Sequence, residues 1–327
     1  MKRKRLLTIA GWALVILLGL VLAFRAPLRT LASLREVDDY PLYVMTYYGD
    51  YRFDDLVATG TAGDPNWACT CFSALGSGSD RLLGRNFDWR NRPTLILFTD
   101  PPSGYASVSM VDISYLGFDT EPPSWADRLR LLQAPHLPFD GMNEAGLAVG
   151  MMAVPHAEAG DAPEKPTIDS LQAIRLMLDH AATVDEAVAL LRGYTVDFGS
   201  GPPLHYLVAD AAGRSAAIEF LSEEMTVLPN DVPWQVSTNF VIAEERPEGA
   251  SSSCRRYNHA YETLKRAGGS LSTQEAMAIL ETTSQPGGTY HTMWSTVYNM
   301  TTGEVQVVMG CKYDAVRTFE LQMTAGP

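Results

Sequence analysis

Along most of this chain, apolar and polar residues fall into short strand-like runs separated by turn residues, and helical spacing takes over in two zones. The strand-like runs are Thr70–Leu75, Leu82–Asn86, Thr94–Phe98, Ala106–Asp112, Gly146–Met152, Leu204–Ala209, Ala216–Phe220, Val236–Asn239, Trp294–Asn299 and Val305–Met309. A Gly/Ser turn near Gly76–Asp80 joins the first two as a hairpin. The first helical zone, Thr167–Ala181, sets Ile168, Leu171, Ile174, Leu176 and Leu178 among polar residues. Thr183-Val184-Asp185-Glu186 has the form of a capping box for a following helix, and Ser272-Thr273-Gln274-Glu275 repeats it ahead of Ala276–Glu281. Ala157–Pro166, rich in Pro, Glu and Ala, reads as a loop. Strand runs flanking paired helices predict a layered mixed α/β domain, without internal repeats.

The N-terminus is patterned differently. Nineteen uncharged residues, Leu6 to Phe24, stand between Lys2-Arg3-Lys4-Arg5 and Arg25. That length spans a bilayer and exceeds a usual signal-peptide core. No small-x-small cleavage site follows, and the basic cluster ahead of the span keeps the N-terminus in the cytoplasm. The pattern predicts an uncleaved signal anchor, hence a membrane partner through this helix and a body outside the cytoplasm; the alternative is secretion after signal-peptide cleavage. Arg25–Asp39 reads as a polar stalk, and aromatic-rich Tyr40–Tyr51 should pack on the body. Thr59–Pro65 is turn-forming and directly precedes Cys69. The organisation expected is an anchor over 1–25, a stalk and propeptide-like segment over 26–68, and a catalytic domain over 69–327.

Composition narrows the partners. A chain of 327 residues with 46% hydrophobic and 19% charged residues can build a substantial core. Its net charge of −13 argues against nucleic acid, whose binders need clustered Lys and Arg. Cys69 and Cys71 are too close in sequence for an ordinary bridge, while a Cys254–Cys311 disulfide is possible outside the cytoplasm. The six histidines are scattered, so neither a metal nor a cofactor is expected.

Candidate chemistry lies in the first hairpin. Cys69 opens its first strand, and Arg85 and Asp88 sit on the second, so strand pairing can return both to the thiol. The thiolate is the nucleophilic form, and a nearby cation lowers its pKa. The bland reading is a buried, inert cysteine. Cys71 is a rival nucleophile.

Cys69 followed by Gly84-Arg85-Asn86-Phe87-Asp88 resembles the mature N-terminus of cysteine N-terminal-nucleophile hydrolases. This superfamily includes bile salt (choloylglycine) hydrolases, penicillin V acylases, acid ceramidase and N-acylethanolamine acid amidase. Asn143-Glu144-Ala145-Gly146-Leu147, Pro202–Tyr206, Asp210–Glu219, Thr238-Asn239 and Ser252–Arg255 extend the resemblance over about residues 67–325. It implies an α+β fold, the four-layer αββα sandwich, here preceded by one N-terminal transmembrane helix. It further implies a hydrolase of linear amide C–N bonds in small N-acyl compounds.

In such an enzyme the nucleophile's own α-amine is the general base. A free α-amine has a pKa of ~7.7–8, suited to taking a thiol proton, so cleavage between Ala68 and Cys69 is required. The resemblance casts Cys69 as nucleophile and base, Arg85 as the cation supporting the thiolate and Asp88 as the group orienting the α-amine. Asn239 would donate to the oxyanion, and Arg255 would complete the polar network, with Arg256 in its place if the register slips by one. Two features depart from bile salt hydrolases. Ala153 falls where the family has an Asn or Tyr on the oxyanion side, leaving only its backbone amide for substrate. The span from Asn239 to Ser253 is fifteen residues, short of the family's insertion. His205 is expected to hydrogen-bond in the core. Two alternatives remain: an acyltransferase of the same fold, and a non-catalytic domain that binds acyl ligands.

Overall fold

The central strands Leu82–Trp89, Ser107–Asp112, Pro138–Asn143, Ala148–Ala153 and Leu204–Ala209 are buried along their whole length, as in sheets covered on both faces. The structure, a computed structural model, describes residues 24–52, 68–78, 80–90, 93–119, 123–158, 160, 162–199, 201–244, 252–288 and 290–324. A six-stranded sheet runs β14 (Trp234–Ser237), β3 (Ala68–Ala74), β4 (Leu82–Trp89), β15 (His291–Asn299), β16 (Glu304–Met309) and β17 (Arg317–Glu320). A nine-stranded sheet runs β1 (Arg35–Asp38), β2 (Leu42–Tyr47), β5 (Thr94–Thr99), β6 (Ser107–Asp112), β7 (Pro138–Asn143), β8 (Ala148–Ala153), β11 (Leu204–Ala209), β12 (Ser215–Leu221) and β13 (Glu224–Pro229). β9 (Thr167–Asp169) and β10 (Thr195–Asp197) form a small parallel pair.

Helix α1 (Ser170–His180) packs on β7 and β8, with α2 (Val184–Leu191) beside it. Helix α3 (Ser252–Ala267) packs on β3 and β14, and α4 (Thr273–Thr283) on β4 and β15. The two sheets meet where β8 lies against β3 and β4. The order is therefore helix, sheet, sheet, helix, the α+β sandwich expected. One core fills the space between the sheets and under α1 and α2. A second, including Phe72, Leu82, Val236, Leu264 and Ile279, lies under α3 and α4.

Local chemistry sets the element ends. Ser272 accepts from the Glu275 N–H while Glu275 takes the Ser272 N–H, a complete capping box. At α2 the box is half made: Thr183 accepts from the Glu186 N–H, but the Glu186 carboxylate takes the Ala182 N–H instead. The first helical zone begins later than its pattern suggests, because Thr167–Asp169 pairs with Thr195–Asp197 and Asp169 caps a helix starting at Ser170.

The stalk is a correction. Residues 24–32 are helical, Leu31 and Leu34 are buried, and β1 and β2 join the nine-stranded sheet. Tyr40–Tyr51 packs on the body as expected, with Leu42, Val44 and Met45 buried and β2 parallel to β5, and β1 pairing with β2 draws the stalk in with it. Residues 6–23 of the expected membrane span, and the Thr59–Pro65 loop, lie outside the described residues. Among the described residues no helix is long and apolar enough to cross a membrane.

Candidate active site

The hairpin β3–β4 pairs Ala68 with Asp88, Cys69 with Phe87, Thr70 with Asn86 and Cys71 with Arg85. Directly opposed residues point to the same face of a sheet. Cys69, Cys71, Arg85 and Phe87 therefore face the nine-stranded sheet, while Ala68, Thr70, Asn86 and Asp88 face the helices. The Asn86 side chain, bonded to the Leu280 carbonyl of α4 at 2.8 Å, marks the second face.

On the inter-sheet face, Arg85 is fully buried and its Nη2 lies 3.8 Å from the Cys69 sulfur. Its Nη1 donates to the Met151 carbonyl at 2.5 Å, and its Nε is ion-paired with Asp140 at 2.9 Å. Asp140 also accepts from Trp294 Nε1 at 3.0 Å and from the Tyr298 hydroxyl. Burial opposes the Arg85 charge, yet Cys69 and Asp140 hold the guanidinium above its ordinary pKa. Gly150 permits this packing, since a Cβ there would sit 3.0 Å from Cys71 Sγ and 3.2 Å from Arg85 Cδ.

At its other edge β3 loses its neighbour. Strand β14 ends at Ser237, opposite Cys71, so the main-chain groups of Cys69 lie beyond that ladder. Side chains satisfy them instead. The Cys69 N–H donates to Asn239 Oδ1 at 2.6 Å, and Arg256 Nη1 donates to the Cys69 carbonyl. Arg256 also reaches Thr70 Oγ1 at 2.8 Å and Asn239 Oδ1 at 2.9 Å. Asn239 Nδ2 donates to the Ala153 carbonyl at 2.9 Å, leaving the amide's second N–H for another acceptor. Asp88, beside the Ala68–Cys69 bond, accepts from Thr292 Oγ1 and from Gln285 Nε2 at 2.6 Å.

Burial raises the Cys69 thiol above its ordinary pKa, and Arg85 opposes the shift without cancelling it. Burial pushes Cys71 up to about 12, with the same Arg85 opposing. Asp88 is likewise raised by burial, with Arg256, Thr292 and Gln285 pulling the other way.

The hairpin brings Arg85 and Asp88 to the Cys69 end, as its pairing anticipates, and Asn239, which the resemblance assigned to the site, bonds the Cys69 N–H there. Ala153 comes to the site through its carbonyl, bonded to Asn239, rather than through its amide. Arg255 is a correction: it lies exposed on α3, and Arg256 is the arginine that turns inward. A helix rotates about 100° per residue, and Arg256 shares its face with buried Ala260 and Leu264. Asp140, Gln285 and Thr292 escaped the sequence reading. Cys254 and Cys311 are free thiols. His205 is buried and hydrogen-bonded, as expected.

Comparison with known proteins places this geometry. The profile of linear amide C–N hydrolases, choloylglycine hydrolase family, matches residues 69–240. A mutant of conjugated bile acid hydrolase from Clostridium perfringens superposes with a TM-score of 0.57 at 16% identity, covering 77% of this chain and 92% of that one. Penicillin V acylase from Agrobacterium tumefaciens gives 0.57 at 20% identity, covering 77% and 86%. An uncharacterised protein of Paramecium bursaria Chlorella virus 1 is 30% identical over 124 residues, 35% of this chain and 44% of that protein. The chain thus spans less than half the length of this curated relative. The profile begins on Cys69 itself and runs past Asn239, and by that match the chain belongs to the choloylglycine hydrolase family of linear amide C–N hydrolases.

Proposed function

We propose that this protein hydrolyses linear amides of N-acyl compounds through the Cys69 thiol, after its own chain is cut between Ala68 and Cys69. The observation that carries the reading is the dressing of one residue: Asn239 on the Cys69 N–H, Arg256 on its carbonyl and Arg85 at its sulfur. Any residue beyond the β14 ladder needs partners for its main-chain groups, but a cysteine serving only as core has no use for a buried guanidinium at its sulfur.

In the cutting step the thiol adds to the Ala68 carbonyl and the C–N bond to Cys69 breaks; the thiol proton passes to the departing nitrogen, which becomes the α-amine, and a thioester joins residues 1–68 to the sulfur. Water hydrolyses that thioester, freeing the thiol and leaving Ala68 with a carboxylate. In turnover the amine takes the thiol proton and the thiolate attacks the substrate carbonyl. Asn239 donates to the developing oxyanion, and the protonated α-amine returns its proton to the leaving amine. Water then hydrolyses the acyl-enzyme. Arg85 favours the thiolate, and Asp88 orients the amine.

The substrate proposed is a neutral or weakly charged N-acyl amide with an apolar acyl chain. The uncharged Leu6–Phe24 span supports a signal anchor that holds the body at an extracytoplasmic membrane surface, where such amphiphiles partition. A body with 31 acidic against 17 basic residues from Cys69 onward offers no electrostatic reason to prefer anionic conjugates. Each acyl CH₂ buried should add ~0.8 kcal/mol until the pocket is full.

The decisive experiment is intact mass and N-terminal sequencing of purified protein, followed by turnover of N-acyl amino acids, N-acylethanolamines, N-acyl homoserine lactones, penicillin V and conjugated bile salts. The expected mature chain begins at Cys69 and turns over amides. Cys69→Ala should lose both cleavage and turnover, and Cys71→Ala should keep both. Active protein still joined through Ala68–Cys69 would falsify the mechanism. Correctly cut protein that turns over no amide would point to an acyl-ligand binder instead.

A further inference from the structure

His205 and Glu219 lie outside the steps above, yet both are buried, at 0% and 2% exposure, and bonded to the chain just before and just after Asn239, at residues 238 and 242–243. His205 Nε2 is 2.8 Å from the Thr238 carbonyl and 3.0 Å from the Ser237 hydroxyl. His205 Nδ1 is 2.9 Å from Glu219 Oε1. That oxygen also accepts the Ile242 N–H at 2.8 Å, and Oε2 accepts the Ala243 N–H at 3.0 Å. The carboxylate thus ties the imidazole to the Ile242 and Ala243 amides. The pair therefore grips the chain on both sides of Asn239: at residue 238 through the imidazole, and at residues 242–243 through the carboxylate.

We propose that His205 and Glu219 are positioning residues that hold the turn 238–243 so that the Asn239 amide is fixed between Cys69 and Ala153. The inference deepens the function proposed above and rests on it for the role of Asn239. Where β14 stops at Ser237 the chain has no further ladder to define its path. A turn of this kind needs its backbone groups satisfied by side chains. Two strands of the nine-stranded sheet supply them, His205 from β11 and Glu219 from β12. His205 also neighbours Leu204, the strand partner of Ala153, so a single sheet sets the clamp and the Asn239 acceptor together. Ser253 completes the frame from α3, its hydroxyl accepting the Asn239 N–H at 2.9 Å.

The test uses the full chain with His205→Gln, Glu219→Gln and Asn239→Ala, alone and with each clamp change added to Asn239→Ala. Hydrogen exchange of the segment 238–243 reads the clamp without any reaction. Steady-state kinetics on the best amide substrate read its consequence. The expected result is lost protection of the Ile242 and Ala243 amides in Glu219→Gln and loosening of the whole segment in His205→Gln. Turnover should fall on the order of 100-fold, the scale of an ångström-sized misplacement, with KM near that of the unaltered protein. Adding either change to Asn239→Ala should cost little more than Asn239→Ala alone. Unchanged exchange in this segment overturns the proposal, as do losses that multiply fully with Asn239→Ala, or intact kcat despite a loosened turn. If the unaltered protein turns over no amide, the functional reading fails, and the exchange measurement alone decides the clamp.

Discussion

Two buried arginines invite comparison. Arg85 and Arg175 are both 0% exposed, and each meets an aspartate, Asp140 at 2.9 Å and Asp179 at 2.7 Å. Each also lies over an aromatic ring, Phe87 or Tyr51, at 5.2 and 5.5 Å from its centre. Burial works against both charges, and the neighbouring acid holds both cations above their ordinary pKa. What differs is the direction of the remaining donors. Arg85 turns one toward a sulfur in the gap between the sheets. Arg175 turns one toward the Ser107 hydroxyl, beneath α1, while Asp179 takes the hydroxyl of Tyr51 at 2.6 Å. The same costly pair therefore faces the proposed nucleophile in one place, and in the other fastens the N-terminal segment to a helix. A buried ion pair alone does not mark an active site; the atom its spare donor faces does.

The sharpest way to break this comparison is to delete both cations in parallel. Arg85→Met should lower kcat/KM per folded molecule by about 100- to 1000-fold, the scale of losing a preorganised charge. Arg175→Met should leave kcat per folded molecule unchanged while costing about 3–5 kcal/mol of stability, because Asp179 stays buried without its partner. Denaturant titration with active-site counting separates the two, and equal catalytic losses would erase the distinction. A smaller effect concerns pH. Asp88 is raised by burial and held back by Arg256, so Arg256→Gln should raise it further. Losing a cation favours the protonated acid, and the acidic limb of the kcat/KM profile should move to higher pH. A limb that stays put, or moves down, would remove Asp88 from that limb. The smallest effect is expected for Tyr51→Phe, about 1 kcal/mol from one hydrogen bond, seen as a Tm a few degrees lower with turnover intact.

The sequence showed most where interactions are local. The β3–β4 hairpin needs only an alternating pattern and a Gly/Ser turn, and its register follows, bringing Arg85 and Asp88 to the Cys69 end. The Ser272 box is likewise contained in four residues. Asp140 could not be read this way. It sits in a strand opened by Pro138 and interrupted by Gly141, which gives no clean alternation, and its partners Arg85, Trp294 and Tyr298 come from distant strands. Arg256 was within reach. The i, i+4, i+8 spacing of Arg256, Ala260 and Leu264 would have revealed α3 and chosen between the two arginines, but polar residues dominate that stretch. Strand β1 was hidden because charged Arg35, Glu36 and Asp38 resemble a solvated connector, whereas β2 lies in the aromatic-rich Tyr40–Tyr51 that was expected to pack on the body.

Strand β2 is parallel to β5, and a parallel pair must be joined by a crossover. Here the crossover contains the β3–β4 hairpin of the other sheet, so the Ala68–Cys69 bond lies within the covalent link between two hydrogen-bonded neighbours. Cutting that bond changes the molecularity of unfolding. The intact chain can refold as a unimolecular process, whereas the cut protein must recover β1 and β2 from a separate polypeptide, at a rate that falls with dilution. Once cut, the protein would be easy to keep folded and hard to restore, and its endurance would be governed by how slowly it opens.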